Sequence, residues 1–148
     1  MNVNVATGSE NLSAKARRLS VDFAARAAEH DADDSFVAEN YQQLRDEGLL
    51  TAAVPVELGG GGATVRELAD MLRLVAQGCG STALALAMHT HLVAVPAWRW
   101  AHQPAARPMV EPVLKRVAGT GAVLVTSGGS DWIGSSGKGD GCPVTYAW

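Results

Sequence analysis

From Thr82 to Ala97 the chain is apolar almost without interruption, broken only by threonines and by His89 and His91. A helix that carries apolar side chains on every side has no face to give to water, so other elements must cover it. The stretch also falls short of the roughly 20 residues that cross a bilayer. It therefore reads as a buried central helix, Thr82 to about Val95, with the remainder of the chain built around it.

The segments before it have the periodicity of partners for such a helix. Leu12, Ala16, Leu19, Phe23 and Ala27 recur at steps of three and four and predict a first helix from about Ser13 to His30. Asp31, Asp33, Asp34 and Ser35 offer acceptors and negative charge suited to the start of a second helix. Its apolar face would be Phe36, Val37, Tyr41 and Leu44, and Gly48 would stop it. Between Leu49 and Ala63, Pro55 and the run Gly59 to Gly62 rule out a regular helix and predict a structured loop. Thr64-Val65-Arg66-Glu67 matches a capping box, so a third helix starts there, with Leu68, Leu72, Val75, Ala76 and Cys79 inward and Gly78 and Gly80 at its end.

Beyond the central helix, Pro96, Pro104, Pro108 and Pro112 are expected to divide the chain into short pieces, the last a helix from Pro112 to Ala118 ended by Gly119 and Gly121. The texture then changes. Val123 to Thr126 is rich in β-branched residues and flanked by glycine, the pattern of a strand, and Val144-Thr145 offers a second short one. The expectation is a mainly α chain: a helical bundle over residues 1–121, then the opening of a β-domain over 122–148.

Composition narrows the function classes. With 47% hydrophobic residues the chain can bury a sizeable core, and with only 5% aromatics alongside abundant alanine it favours packed helices over a β-sandwich. A net charge of -3 with scattered Lys and Arg excludes a basic stripe for nucleic acid. Met1 to Lys15 has no apolar core of a signal peptide, and neither a membrane span nor a targeting segment is read, so the expected location is the cytoplasm. Cys79 and Cys142 belong to no metal-ligand spacing, and His89 and His91, two apart on a helix, point in different directions. No metal site is expected. His89 is read as a satisfied core or interface histidine.

Four segments in order resemble the acyl-CoA dehydrogenase family. Val54-Pro55-Val56-Glu57-Leu58-Gly59-Gly60 is similar to that family's Pro-x-x-(Tyr/Leu)-Gly-Gly loop. The run from Cys79 to His89 looks like its central helix, and Leu114-Lys115-Arg116-Val117-Ala118-Gly119 like the segment closing its helical domain. Val125-Thr126-Ser127-Gly128-Gly129-Ser130-Asp131 resembles its Thr-Glu-Pro-x-x-Gly-Ser-Asp turn, with Ser127-Gly128 standing where the family has Glu-Pro.

The resemblance implies an FAD-dependent oxidoreductase whose full-length form dehydrogenates an acyl-CoA thioester at the α,β position, hands electrons to an acceptor and forms a homo-oligomer. It implies Val123, Val125, Thr126 and Ser130 on the flavin side. Leu84, Met88, Leu92 and Ser130 would line the substrate side, with plain core packing an equal account of the three apolar ones. The shortened turn also suits the flavin monooxygenase branch of the same fold, and a truncated, non-catalytic helical module is a further alternative. The family's proton-abstracting carboxylate belongs to a C-terminal helical domain, so no catalytic base is assigned. Gly59 to Gly62 could be taken for a phosphate cradle, but no Gly-Lys-Ser/Thr follows, and a structural turn is the better reading.

Overall fold

The computed structural model describes residues 11–126 and 144–147. Five helices, α1 (Leu12–Asp33), α2 (Ala38–Asp46), α3 (Val65–Gly78), α4 (Gly80–His102) and α5 (Arg107–Thr120), are followed by strands β1 (Val123–Thr126) and β2 (Val144–Ala147). The mainly α architecture read from periodicity is the one found.

Asn11 caps α1, its side-chain oxygen accepting the Ala14 amide at 2.8 Å. Ala16, Leu19 and Phe23 are buried along the expected stripe. The acidic cluster does not begin α2. Asp31 and Asp33 lie in the last turn of α1, and Asp34 reverses the chain with φ 49°, a left-handed conformation that Asp tolerates better than most residues. Ser35 bonds back to His30 at 2.7 Å, and α2 starts from Val37 without a side-chain cap. Phe36, expected on the inner face, is 56% exposed and stacks on Tyr41 at a ring separation of 5.5 Å. After α2, Gly48 turns the chain so that the Leu49 amide reaches the Leu44 carbonyl at 2.9 Å, the bond of a Schellman stop.

The Gly-rich segment is a clasp. A 3-10 turn over Val56–Leu58 carries the chain out, and the amides of Gly59, Gly60, Gly61 and Gly62 then donate to the carbonyls of Val56, Pro55, Thr51 and Val54. Those donors are spent inside the loop, which removes a phosphate cradle. Gly60 is obligatory for closure, because a Cβ there would overlap the Val54 carbonyl and side chain.

The Thr64–Glu67 capping box opens α3, with the Thr64 amide on the Glu67 carboxylate at 2.8 Å and the Glu67 amide on the Thr64 hydroxyl at 3.3 Å. Its inner face is turned by one residue from the expected one: Leu68, Met71, Leu74 and Val75 are buried, Leu72 is half-buried and Ala76 exposed. The cause is the crossing with α1 at Gly78, where a Cβ would overlap the Ser20 carbonyl. That close approach brings the row 68, 71, 75, 78 inward.

Prolines break less than expected. α4 continues through Pro96 to His102, and α5 begins at Arg107, with Pro108 in its first turn and Pro112 inside it. Each interior proline removes one backbone bond. Packing holds the helix beyond Pro96, where Ala97 and Trp100 rest on a buried cluster and His102 stacks on Trp98 at 4.8 Å. Pro112 and the carbonyl-bearing Pro108 four residues before it are both exposed, so water can take the freed acceptor.

β1 and β2 pair antiparallel, Val123 opposite Ala147 and Thr126 opposite Val144. β1 is wedged between two cores. Val123 joins the larger one, built on Leu19, Phe23, Leu44, Met71, Val75 and Leu86, whereas Leu124 joins a smaller one with Val54, Val93, Val110, Leu114 and Val117.

Candidate functional site

α4 buries Thr82, Ala83, Leu86, His89, Thr90 and Val93, and Thr82, Leu86, His89 and Val93 follow the three- and four-residue steps of one helix face. On that face the polar residues Thr82 and His89 are both hydrogen-bonded. The Thr82 hydroxyl accepts from the Asn40 side chain at 2.8 Å and lies 3.1 Å from the Cys79 sulfur, while the Thr82 carbonyl accepts from the Tyr41 hydroxyl at 3.2 Å. Asn40 in turn accepts from Arg26 at 2.7 Å. Sequence reasoning missed this chain of contacts, although an Asn beside Tyr41 and four residues before Leu44 on the inward face of α2 was its visible signal.

His89 is 1% exposed, with Nε2 2.7 Å from the Leu50 carbonyl and Nδ1 2.9 Å from the Leu124 amide nitrogen. Burial lowers its pKa from the ordinary 6.5, and the Leu50 carbonyl opposes that only in part. The expected satisfied core histidine is what the structure holds, and it joins the helical bundle to β1. Cys79 precedes the first turn of α4: burial pushes its thiol up, but hydrogen bonds from Ser81 and Thr82 outweigh this and hold it below the usual thiol value. Tyr41 is pushed up to about 12, first by burial and then by the neighbouring Cys79. Among the described residues no group of His, Cys, Asp and Glu could hold a metal ion, and no helix is long and apolar enough to cross a membrane.

Three of the expected flavin-side residues, Val123, Val125 and Thr126, share β1. Val123 is 6% exposed, and Val125 packs partly buried against the same core, so what these two offer a ligand is backbone. Thr126 ends the strand, and Ser130 lies outside the described residues, as does Cys142. On α4, Leu84 is 70% exposed, Met88 is half-buried, and Leu92 packs partly against the smaller core. They occupy one face of the helix at steps of four, and Val95 and Trp98, 47% and 55% exposed, extend the row. The central helix is thus covered on one side only, contrary to the expectation from its composition. A separate groove of about 460 Å³ lies between the Gly-rich clasp and the end of α4, bordered by Val56, Thr64, Val65, Trp98 and His102 and by none of Leu84, Met88 and Leu92.

The geometry is that of a helical bundle leading into a β-strand, and the comparisons give its family. Residues 9–115 match the family model of the acyl-CoA dehydrogenase N-terminal domain, and the chain belongs to that family. It is 35% identical over 102 residues to the amino sugar nitrososynthase RubN8 of Streptomyces rubradiris, covering 68% of this chain and 24% of that one. YdbM of Bacillus subtilis (strain 168), provisionally named an acyl-CoA dehydrogenase, is 34% identical over 79 residues, 53% of this chain and 21% of its own. A solved structure of KijD3 in complex with FMN and dTDP-3-amino-2,3,6-trideoxy-4-keto-3-methyl-D-glucose superposes with a TM-score of 0.57 at 31% identity, covering 79% of this chain and 35% of that one. The chain spans about a quarter of the length of the curated relatives it matches.

Proposed function

We propose that this chain is the helical domain, residues 1–121, and the beginning of the flavin-binding β-domain, from residue 122, of a flavin-dependent oxidoreductase that oxidises the amino group of a nucleotide-linked sugar. The observation that carries the choice of substrate is the likeness to RubN8 and to the KijD3 complex, each at 30% identity or more over two thirds of this chain or more. The replacement of Glu-Pro by Ser127-Gly128 in the turn agrees with a departure from acyl-CoA chemistry. α,β-Dehydrogenation of an acyl-CoA is the second reading, favoured by the family model and by YdbM.

The described residues suit one wall of a flavin site. β1 leaves the bundle with Val123 and Leu124 buried in its two cores and ends on Thr126, a hydroxyl of the right chemistry for the pyrimidine edge of the ring. Flavin, when bound, supplies two-electron redox chemistry, and donors at its N1/C2=O edge stabilise the reduced state. Thr126 and Ser130 serve that edge in this reading. The row of Leu84, Met88 and Leu92 on the open face of α4 excludes water on the substrate side in this reading. FAD is the expected flavin from the family and FMN the one bound to KijD3. A cytoplasmic homo-oligomer completes the proposal.

The test uses the full-length protein loaded with either flavin. Oxygen-dependent conversion of a dTDP-amino sugar in the presence of a flavin reductant, with no reduction of an artificial acceptor by acyl-CoA, is expected; the reverse result assigns the dehydrogenase reading. The 148-residue chain by itself is expected to lose FAD on gel filtration, since one wall leaves the ligand largely solvated and gives few contacts to offset its lost freedom. Stoichiometric retention of flavin absorbance by the chain would overturn that.

A further inference from the structure

The imidazole of His89 is held by two backbone groups whose roles cannot be exchanged. A peptide N–H only donates and a peptide carbonyl only accepts. The Leu124 amide, 2.9 Å from Nδ1, therefore requires an unprotonated Nδ1, and the Leu50 carbonyl, 2.7 Å from Nε2, requires a proton on Nε2. One neutral tautomer meets both demands, and the imidazolium meets only one. The two partners come from distant parts of the chain: Leu50 opens the Gly-rich clasp and Leu124 is the second residue of β1. Leu124 is 3% exposed and Leu50 is 1% exposed, so both backbone groups depend on the ring.

We propose that His89 is a positioning residue of the flavin site, fixing through the Leu124 amide where β1 leaves the helical bundle and hence where Thr126 meets the cofactor. This rests on the flavin reading given above. Thr126 stands two residues beyond Leu124, about 7 Å along an extended chain, too short a lever to absorb a displacement at its base. No other side-chain hydrogen bond from α4 to β1 occurs among the described residues. Apolar contacts of Val123 and Leu124 bury the strand but are not directional; the directional ties on this segment are the backbone pairing with β2, the Arg45 Nε bond to the Gly121 carbonyl at 3.3 Å and the bond to His89. Of these, the bond to His89 is the one that ties β1 to α4 among the described residues, and it sets the strand's position against the central helix in this proposal. Its geometry depends on the ring's length and on its opposed donor and acceptor. Glutamine can reproduce that pair with its carboxamide, and leucine cannot.

The direct test is nitrogen NMR on the 15N-labelled chain. A through-hydrogen-bond coupling between the Leu124 amide nitrogen and His89 Nδ1, with the proton on Nε2, is expected. A His89 that carries its proton on Nδ1, or shows no coupling, overturns the bridge from Leu50 through His89 to Leu124 and with it the positioning role. Flavin retention by the full-length protein then tests the link to the site. His89→Leu should weaken FAD or FMN binding by about tenfold, the effect of leaving buried backbone groups unpaired, and His89→Gln should restore most of it. Unchanged affinity in His89→Leu, or no rescue by His89→Gln in a folded variant, overturns the positioning role while leaving the flavin reading intact. A full-length wild-type protein that binds neither flavin removes the flavin reading and with it the positioning role, whatever the coupling shows.

Discussion

The two sides of α4 both carry large apolar residues but have opposite surroundings. Toward the bundle, Leu86 and Val93 are 0% and 1% exposed and the His89 ring between them is bonded at both nitrogens. On the other side Leu84, Val95 and Trp98 stand in the open at 70%, 47% and 55%. Apolar character on every side of a helix shows that something must cover each side, but not that the same domain does so. The inner side stabilises the fold, whereas the outer side leaves Leu84, Val95 and Trp98 exposed. This contrast can be broken or sharpened by substitution, and the expected effects fall off steeply from the core to the open face.

The largest effect belongs to the α1–α3 crossing. Met71→Asp places an unpaired carboxylate at a 0% exposed position and should cost more than about 4 kcal/mol, unfolding most of the chain. Leu72→Asp next to it, on a half-buried residue, should cost only about 1–2 kcal/mol because the carboxylate can reach water. Urea denaturation of the two variants checks this, and equal losses would mean that the crossing is misplaced. Gly78→Ala comes next. Its methyl group would overlap the Ser20 carbonyl, so the helices must separate, at a cost of about 2–3 kcal/mol in the same measurement.

How much of this was legible in the sequence follows from what each residue obeys. The α1 stripe, the capping box and the strand from Val123 were readable, because periodicity, a local side-chain bond and β-branching act over a few neighbouring residues. The face of α3 was not, since Gly78 bears no side chain to mark it and its role is set by Ser20, far away in the chain. The acidic cluster misled for a related reason. Charges near a helix boundary suit the start of the next helix by electrostatics, but the alanine-rich end of α1 kept the helix going and brought Asp31 and Asp33 into it. The prolines misled because packing of Trp100 and Ala97 outweighs one lost bond. Of the candidate site, the residue types on β1 and α4 were legible, whereas the bond from His89 to Leu124, between residues 35 apart, depended on tertiary structure.

An intermediate effect is expected from pH. The folded pKa of His89 lies below its unfolded value of 6.5, owing to burial and despite the Leu50 carbonyl. The unfolded chain therefore binds the extra proton first as pH falls, and stability rises with pH wherever it holds more protons than the native state. The contribution of neutral His89 is fully present above the unfolded value and is lost as pH drops below it toward the folded one. Thermal melts of the wild type should show a midpoint that declines on acidification through this window, and His89→Gln should be flatter there. An equal slope in both would place the titrating group elsewhere.

The smallest effect should come from the open face, and it decides what that face is for. Leu84 is 70% exposed, so replacing it removes little contact and buries no polar group; Leu84→Gln should leave the stability of the chain within about 0.5 kcal/mol of the wild type. A larger loss would show that Leu84 belongs to the core of the chain, which would join the two sides of α4 into one and end the distinction between them. If stability is unchanged, the same substitution in the full-length protein isolates the other role. A side chain that lines the substrate side should raise KM or lower kcat for the amino sugar, while one that merely meets another domain should change stability there and leave turnover per folded molecule alone. Leu92, which already packs partly against the smaller core, is the internal control. Leu92→Gln should reduce the stability of the chain as well, because its side chain takes part in both environments, and the difference between Leu84 and Leu92 then measures how sharply the helix is divided.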